Sequence, residues 1–376
     1  MRYDRVAARL VRVGLGGLAV LACDGRSNDP GAGSVHGAAV EYILESPRVM
    51  VSAESELLAQ PRDIAVDPVG RLYVLDRYRR EVLVLSAEGE LQGTIGRPGQ
   101  GPGEFSDPLF LAVRGDSLLV YDYGRLITHV FSLEGAHLGQ YHTPTFGVPT
   151  HMSFGADGWI AYSGLAVPPR GGLVALLDPS RQQQTVVGGL LSEHVIPPPD
   201  LLERVQRREL PDFMRNSALP ILGPDGALWV FLQTEGVLQL LAKDASLAAR
   251  VELRLPEMDA IKTAFFDWYA SVGARDALHF FGFVETGLVA GGRLWLLWNM
   301  PPGRPGVITV HDETGALAAR LSVRGTEDPG WSDSPPRRRF AVDLGRQRLY
   351  LMDQNALAIS WVQLPSELSG QGSPAR

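Results

Sequence analysis

The sequence predicts an all-β fold, a six-bladed β-propeller of four-stranded antiparallel blades. Three observations carry this. The stretch Pro61 to Gly103 holds four short apolar runs separated by turn residues. That pattern recurs to give six units ending at Leu364. The last unit has three strands, while a lone strand-like run precedes the first.

In the first unit Ile64-Ala65-Val66 leads into the turn Asp67-Pro68-Val69-Gly70, and Leu72 to Leu75 follows. Asp76 to Arg80 is polar, Val82 to Leu85 apolar, and Glu88-Gly89 turns the chain into Leu91 to Ile95. Such runs, broken by Asp-Pro-x-Gly and Glu-Gly, read as a meander. One meander cannot bury both faces alone, so repetition is its natural completion. The second unit, Pro108 to Tyr141, turns at Gly115-Asp116 and Glu134-Gly135. The third opens at Pro149 and turns at Ala156-Asp157-Gly158; the fourth starts near Ser217 and turns at Pro224-Asp225-Gly226. The fifth, from Phe283, turns at Gly291-Gly292 and Thr314-Gly315, and the sixth, Phe340 to Leu364, turns at Gly345-Arg346-Gln347. A radial array must close, so Val40–Leu44 is expected as the outer strand of blade six. Tyr73, Trp229, Trp295 and Tyr350 share one column on second strands and are expected between blades.

Composition agrees: 376 residues, 45% hydrophobic, with 42 Gly and 27 Pro, suit a turn-rich globular chain. A net charge of −7 excludes duplex nucleic acid as an expected partner, because phosphate binding needs a strongly cationic surface. Arg2, Arg5, Arg9 and Arg12 precede the apolar Val13 to Ala22 and then the single cysteine, Cys23. A basic start and a short apolar stretch describe an export signal over 1–22, too short for a membrane span. Val20-Leu21-Ala22-Cys23 resembles the bacterial lipobox, which implies lipidation at Cys23, a membrane anchor, and a place in the cell envelope facing the periplasm or cell surface. Residues 23–37 read as a flexible tether, 38–365 as the propeller and 366–376 as a polar tail. With one cysteine, no disulfide can staple the domain.

Blade one, read as P-x-x-I-A-V-D-x-x-G-R-L-Y-V-L-D-R, resembles an NHL repeat. Gly96 to Pro108 (GRPGQGPGEFSDP) is similar to the connector that NHL-type propellers use between blades. The likeness spans residues 61 to 142, fades over blades three to five and partly returns in blade six. It implies a bacterial propeller lipoprotein of that type. Relatives include scaffolds for protein, RNA or sugar, and lyases and lactonases with a metal over the central channel.

Tight turns are expected on one face, and all long insertions on the other, where blades cross to their neighbours. Ser192 to Asn216 carries a short helix at LLERVQRREL with Asp200 as N-cap; Pro256 to Phe281 carries a helical stripe of Ile261, Ala264, Phe265, Trp268 and Val272. Gly325 to Arg339 is the third long crossing. The stripe is expected to pack on the propeller. Asp76, Asp122 and Asp353 follow the second strand in blades one, two and six, whereas Leu232 and Trp298 stand there in blades four and five. This is either repeat drift or a reshaping of blades three to five around a ligand.

One column offers chemistry. Entering each innermost strand from the crossing face stand Asp63, Phe110, His151, Leu219, Glu285 and Arg339. Asp63, His151 and Glu285 could hold a divalent cation, Ca²⁺ or Zn²⁺, with Arg339 opposing a bound carboxylate or phosphate. The same column could serve as polar ligand contacts or be solvated strand ends, and a slip of one residue reverses every side chain. Arg62 and Arg125 add positive charge to this face, as do Arg77, Arg79, Arg80, Arg304 and Arg337 to Arg339, offset by Asp76, Glu81, Glu104, Asp107 and Asp333. The other histidines (His36, His129, His137, His142, His194, His279 and His311) show no metal-ligand spacing, and the glycine-rich Gly96–Gly103 precedes no helix pattern. No strong catalytic constellation emerges. The leading expectation is a lipid-anchored, non-catalytic propeller binding protein or glycan on the crossing face; the alternative is a metal-dependent lyase or lactonase-like hydrolase over the channel.

Overall fold

A computed structural model describes residues 39–164, 172–180, 184–193, 199–242, 244–272, 282–326 and 338–369. Cys23, the export signal, the whole of the tether, His36, His194, His279, Asp333 and Arg337 lie outside the described residues.

Turn chemistry sets the strand boundaries within a blade. In blade one, Asp67 Oδ1 accepts the N–H groups of Val69 and Arg71 at 3.0 and 2.8 Å, and Gly70 takes φ +86, a left-handed conformation costly for other residues. Two strands precede this blade: β1 (Val40–Leu44) and β2 (Arg48–Val51). Blade one itself is β3 (Pro61–Val66), β4 (Leu72–Asp76), β5 (Glu81–Leu85) and β6 (Leu91–Ile95). Blade two is β7 (Pro108–Arg114), β8 (Ser117–Asp122), β9 (Ile127–Ser132) and β10 (His137–His142). Blade three is β11 (His151–Phe154), β12 (Ile160–Ser163), β13 (Gly172–Leu177) and β14 (Gln184–Gly189). Helix α1 (Leu201–Gln206) leads into blade four, β15 (Ala218–Leu222), β16 (Leu228–Leu232), β17 (Val237–Leu241) and β18 (Leu247–Glu252). Helix α2 (Pro256–Val272) leads into blade five, β19 (Val284–Ala290), β20 (Arg293–Trp298), β21 (Gly306–His311) and β22 (Leu317–Val323). Blade six is β23 (Arg338–Asp343), β24 (Arg348–Asp353) and β25 (Ala358–Gln363).

From β3 onward the strands of each blade pair antiparallel in chain order, and the first strands pack side by side around a complete ring from β3 through β7, β11, β15, β19 and β23 back to β3. The fold is a six-bladed β-propeller. Tyr73, Trp229, Trp295 and Tyr350 are all buried, each in a cluster shared with the next blade. The Tyr73 hydroxyl donates to Leu133 O of blade two at 2.9 Å.

Closure differs from the sequence expectation. Val40–Leu44 does not complete blade six; β1 runs parallel to β22 as a fifth strand of blade five. The strand that completes blade six is β2, antiparallel to β25, with Arg48 opposite Trp361. The Trp361 ring is flanked by guanidinium carbons of Arg348 and Arg48, 4.1 and 5.0 Å from its centroid. Both strands are short, and the more apolar Val40–Leu44 run masked the role of Arg48–Val51. Leu368, within the tail read as polar, is buried near Leu364.

The helices sit at the crossing end. Ile261, Phe265, Phe266 and Tyr269 of α2 are buried against Phe213, Leu219, Val284 and Trp298, so the stripe packs on the propeller. Arg320 of β22 donates through Nε to buried Glu257 of α2 at 2.6 Å. Asp200 precedes α1 as expected, but its carboxylate makes no cap bond; it accepts from Arg204 Nε at 3.0 Å instead.

Candidate functional site

The innermost strands of blades one, two and five are bulged near their crossing ends, which shifts the expected column. Pro61 faces Asp76 while Asp63 faces Leu75, so Arg62 is the extra residue. Val284 faces Trp298 while Thr286 faces Leu297, so Glu285 is the extra residue. By ladder position the equivalents of Asp63 are Phe110, Met152, Leu219, Thr286 and Arg339. His151 and Glu285 stand one step nearer the crossing end. The single column is therefore two adjacent levels.

The side chains from blades one, five and six nevertheless meet. Arg339 Nε lies 3.8 Å from Asp63 Oδ1, and Arg339 Nη1 lies 4.0 Å from Glu285 Oε2. These are ion pairs beyond hydrogen-bond length. The one hydrogen bond of the Arg339 side chain among the described residues runs from Nη1 to Arg338 O, 3.0 Å. His151 of blade three feels both Arg339 and Arg62 electrostatically. Phe110 and Leu219 fill the remaining positions with buried apolar groups.

The two acids also have structural work. Asp63 accepts the N–H of Ile64 through Oδ1 and that of Leu111, in blade two, through Oδ2, both at 3.0 Å. Glu285 Oε2 accepts the N–H of Arg338, in blade six, at 2.5 Å. Ser153 Oγ plays the same part between blades three and four, accepting from Leu222 N at 2.9 Å. Polar side chains of blades one, three and five thus fasten the next blade's first strand. The sequence reading missed this role, although the alternation of Asp, Ser and Glu near the starts of these strands was visible.

Burial dominates the electrostatics. It raises the Asp63 carboxyl above the ordinary range, against the opposing pull of Arg339, two backbone N–H groups and Arg62. Burial likewise lifts Glu285 to about 7, opposed by the Arg338 N–H and the charges of Arg339 and Arg338, and reinforced by Asp353. Burial, then Arg339 and Arg62, push His151 down to about 3, so its imidazole is neutral at physiological pH. His151 Nδ1 is buried and has no hydrogen-bond partner among the described residues.

Among the described residues no group of three His, Cys, Asp or Glu side chains is placed to hold a metal ion. The Arg339 cation stands by both carboxylates, Asp63 accepts a backbone N–H on each oxygen, and Glu285 accepts one on Oε2. Arg125 does not join this group either: its Nη1 donates to Gly101 O at 3.3 Å.

Elsewhere on the rim one arginine is paired. Arg77 forms a bidentate pair with Asp107 at 2.6 and 3.0 Å. In the glycine-rich connector the Glu104 carboxylate accepts from Gln100 N and Gly101 N at 3.0 and 2.8 Å, where an anion would otherwise be cradled. Gly96, at φ +79, lies under the buried Phe105 ring, which a Cβ would strike. Asp76 and Asp122 are latches: Asp76 accepts from the N–H groups of Ala59, Gln60 and Arg79, and Asp122 from those of Ser106, Asp107 and Gly124. After blade four, Gln233 takes over, accepting Val284 N at 2.9 Å. His129 and His137, eight residues apart, come within 3.5 Å across the β9–β10 hairpin, with His129 buried beside Phe105.

A family model described as a 6-bladed beta-propeller matches residues 49–163. That is the architecture seen here. No curated protein matches. Among solved structures the chain is similar to a gluconolactonase from Xanthomonas campestris at 15% identity and a TM-score of 0.48, covering 85% of this chain and 94% of that one. It is also similar to regucalcin, a calcium-binding protein from Agrobacterium tumefaciens (13%, TM-score 0.45, 87% and 97% covered). Virginiamycin B lyase from Staphylococcus aureus matches at 13% and 0.43, with 82% and 86% covered. Likenesses at this level carry no activity across, since one fold hosts many functions.

What the site can do follows from its own groups. It offers a guanidinium with donors to spare, a neutral imidazole and a carboxyl that titrates near neutrality. Buried groups of this kind, drawn from several elements to one end of a rigid ring, are suited to ligand capture.

Proposed function

We propose that this chain is a non-catalytic propeller, anchored in the bacterial cell envelope through a lipid on Cys23, that binds a protein or glycan ligand at its crossing end. One observation carries the reading: Arg62, Asp63, His151, Glu285 and Arg339 gather from four blades at the end that also bears α1 and α2. The opposite end is made of short turns such as Asp67 to Gly70, whose polar groups are spent on their own backbone.

The test is a glycan and peptide array probed with the purified chain and two variants. A crossing-end double variant, Arg62→Ala with His151→Ala, is expected to lose its hits at least about tenfold, whereas Asp116→Ala on the turn face keeps them. Loss with Asp116→Ala alone, or an array with no hits, refutes the reading. For anchoring, Cys23→Ser is expected to move the protein from the membrane to the soluble fraction; retention in the membrane counts against lipidation.

A further inference from the structure

We infer that the Arg339 guanidinium, with His151 beside it, receives a single carboxylate carried by a hydroxyl-bearing ligand, the chemistry of a sugar acid. This rests on the reading that the ligand is taken at the crossing end.

The argument begins with donors. Arg339 uses Nη1 on Arg338 O, while Nε and Nη2 have no hydrogen-bond partner among the described residues. Nε and Nη2 form the edge of the guanidinium that meets a planar carboxylate in two parallel bonds. Asp63 Oδ1 stands 3.8 Å from Nε, beyond hydrogen-bond length, and Glu285 Oε2 stands 4.0 Å from Nη1, so both balance the charge without taking a hydrogen bond from that edge. The carboxylates are turned to backbone N–H groups of neighbouring strands instead. Arg62 contributes a second positive charge acting on both Asp63 and His151.

Charge then selects among anions. Two arginines stand by Asp63, whose carboxyl burial raises above the ordinary range, and Arg339 and Arg338 stand by Glu285, which carries a proton part of the time. A monoanion is accommodated; a phosphate dianion meets two carboxyl groups at its flanks. His151, neutral and with Nδ1 lacking a partner, supplies a donor or acceptor for a hydroxyl next to the carboxylate.

Binding is also coupled to a proton. Glu285 is faced by Arg338 and Asp353 of blade six, and by Arg339 with Asp63 behind it. A carboxylate arriving on Arg339 adds negative charge beside Glu285 and withdraws part of the positive charge it sees. The ligand therefore binds best when Glu285 is protonated, and affinity falls about tenfold between pH 6 and pH 8 if only that form binds.

Titration calorimetry of the purified chain with sodium D-glucuronate, D-glucose and inorganic phosphate tests this. Glucuronate is expected to bind one to one, tighter at pH 6 than at pH 8, with proton uptake revealed by buffers of different ionisation enthalpy. Glucose and phosphate are expected to bind at least about tenfold more weakly. Arg339→Gln is expected to weaken glucuronate at least about tenfold while retaining a cooperative thermal transition. Should that variant not fold, the ¹⁵N ring resonances of His151 in the unaltered chain decide: they shift with glucuronate and not with glucose. Equal binding of glucose and glucuronate, tighter binding of phosphate, no heat with any probe, or unmoved His151 resonances overturns the inference. Array hits that depend on Arg62 and His151 yet carry no carboxylate would overturn it too, and would leave the broader binding reading standing.

Discussion

Replacing Glu285 by glutamine isolates the electrostatic cost of the site. The carboxyl is raised from 4.5 to about 7 in the folded chain because burial disfavours its charge. The sign follows directly: its stabilising contribution is complete below about 4.5 and is lost as pH rises through about 7. A shift of that size corresponds to about 3 kcal/mol, and the side chain is only 7% exposed, so solvent screens little of it. Glutamine keeps a carbonyl that can accept the Arg338 N–H but carries no charge. Glu285→Gln is therefore expected to gain about 3 kcal/mol relative to the parent between pH 4.5 and pH 8. His151, depressed to about 3, works in the opposite sense as pH falls below 6.5, but it is present in both proteins and cancels. Urea unfolding midpoints at pH 4.5, 6, 7 and 8 measure the difference. A pH-independent difference, or a variant that loses ground as pH rises, would refute the account of Glu285.

Two further outcomes concern the scaffold. Asp76→Ala removes a buried carboxylate from the partly exposed N–H groups of Ala59, Gln60 and Arg79, and a loss of about 2–3 kcal/mol in chemical denaturation is expected; a loss under 1 kcal/mol would show that the latch is dispensable. Deleting 47–52, which removes β2, is expected to lower the melting temperature more than deleting 39–45, which removes β1, because β2 completes a blade of four while β1 extends one already complete. The reverse order would contradict the closure described here.

The blades were legible because their turns announce themselves: Asp67-Pro68-Val69-Gly70 and Glu88-Gly89 both lie where the chain reverses. Closure was legible in kind but not in register. Val40–Leu44 is the more apolar run, yet hydrophobicity alone does not say which of two neighbouring strands reaches Trp361. The gathering of Asp63, Glu285 and Arg339 was anticipated from their positions, whereas their chemistry was not. Sequence pattern does not reveal a bulge, so Glu285 seemed level with Asp63, and it does not reveal that Leu111 and Arg338 offer backbone donors to these acids. Tyr269, four residues on from Phe265, lies on the same face as the stripe, and Phe266 extends the buried surface beyond it.

The arrangement of β2 on β25 has a bearing on how the chain is made. Arg48 leaves the ribosome long before Trp361, with which it must pair, so the first-synthesised strands wait for nearly the whole polypeptide before they are used. Joining segments so distant is slow, since the entropy of closing the intervening loop must be met before the contact rewards it. Until then blade six shows a bare edge at β25, a template for a foreign strand. The last act of biosynthesis thus falls to the oldest part of the domain, and the interval before it is when a newborn chain is most exposed to mispairing.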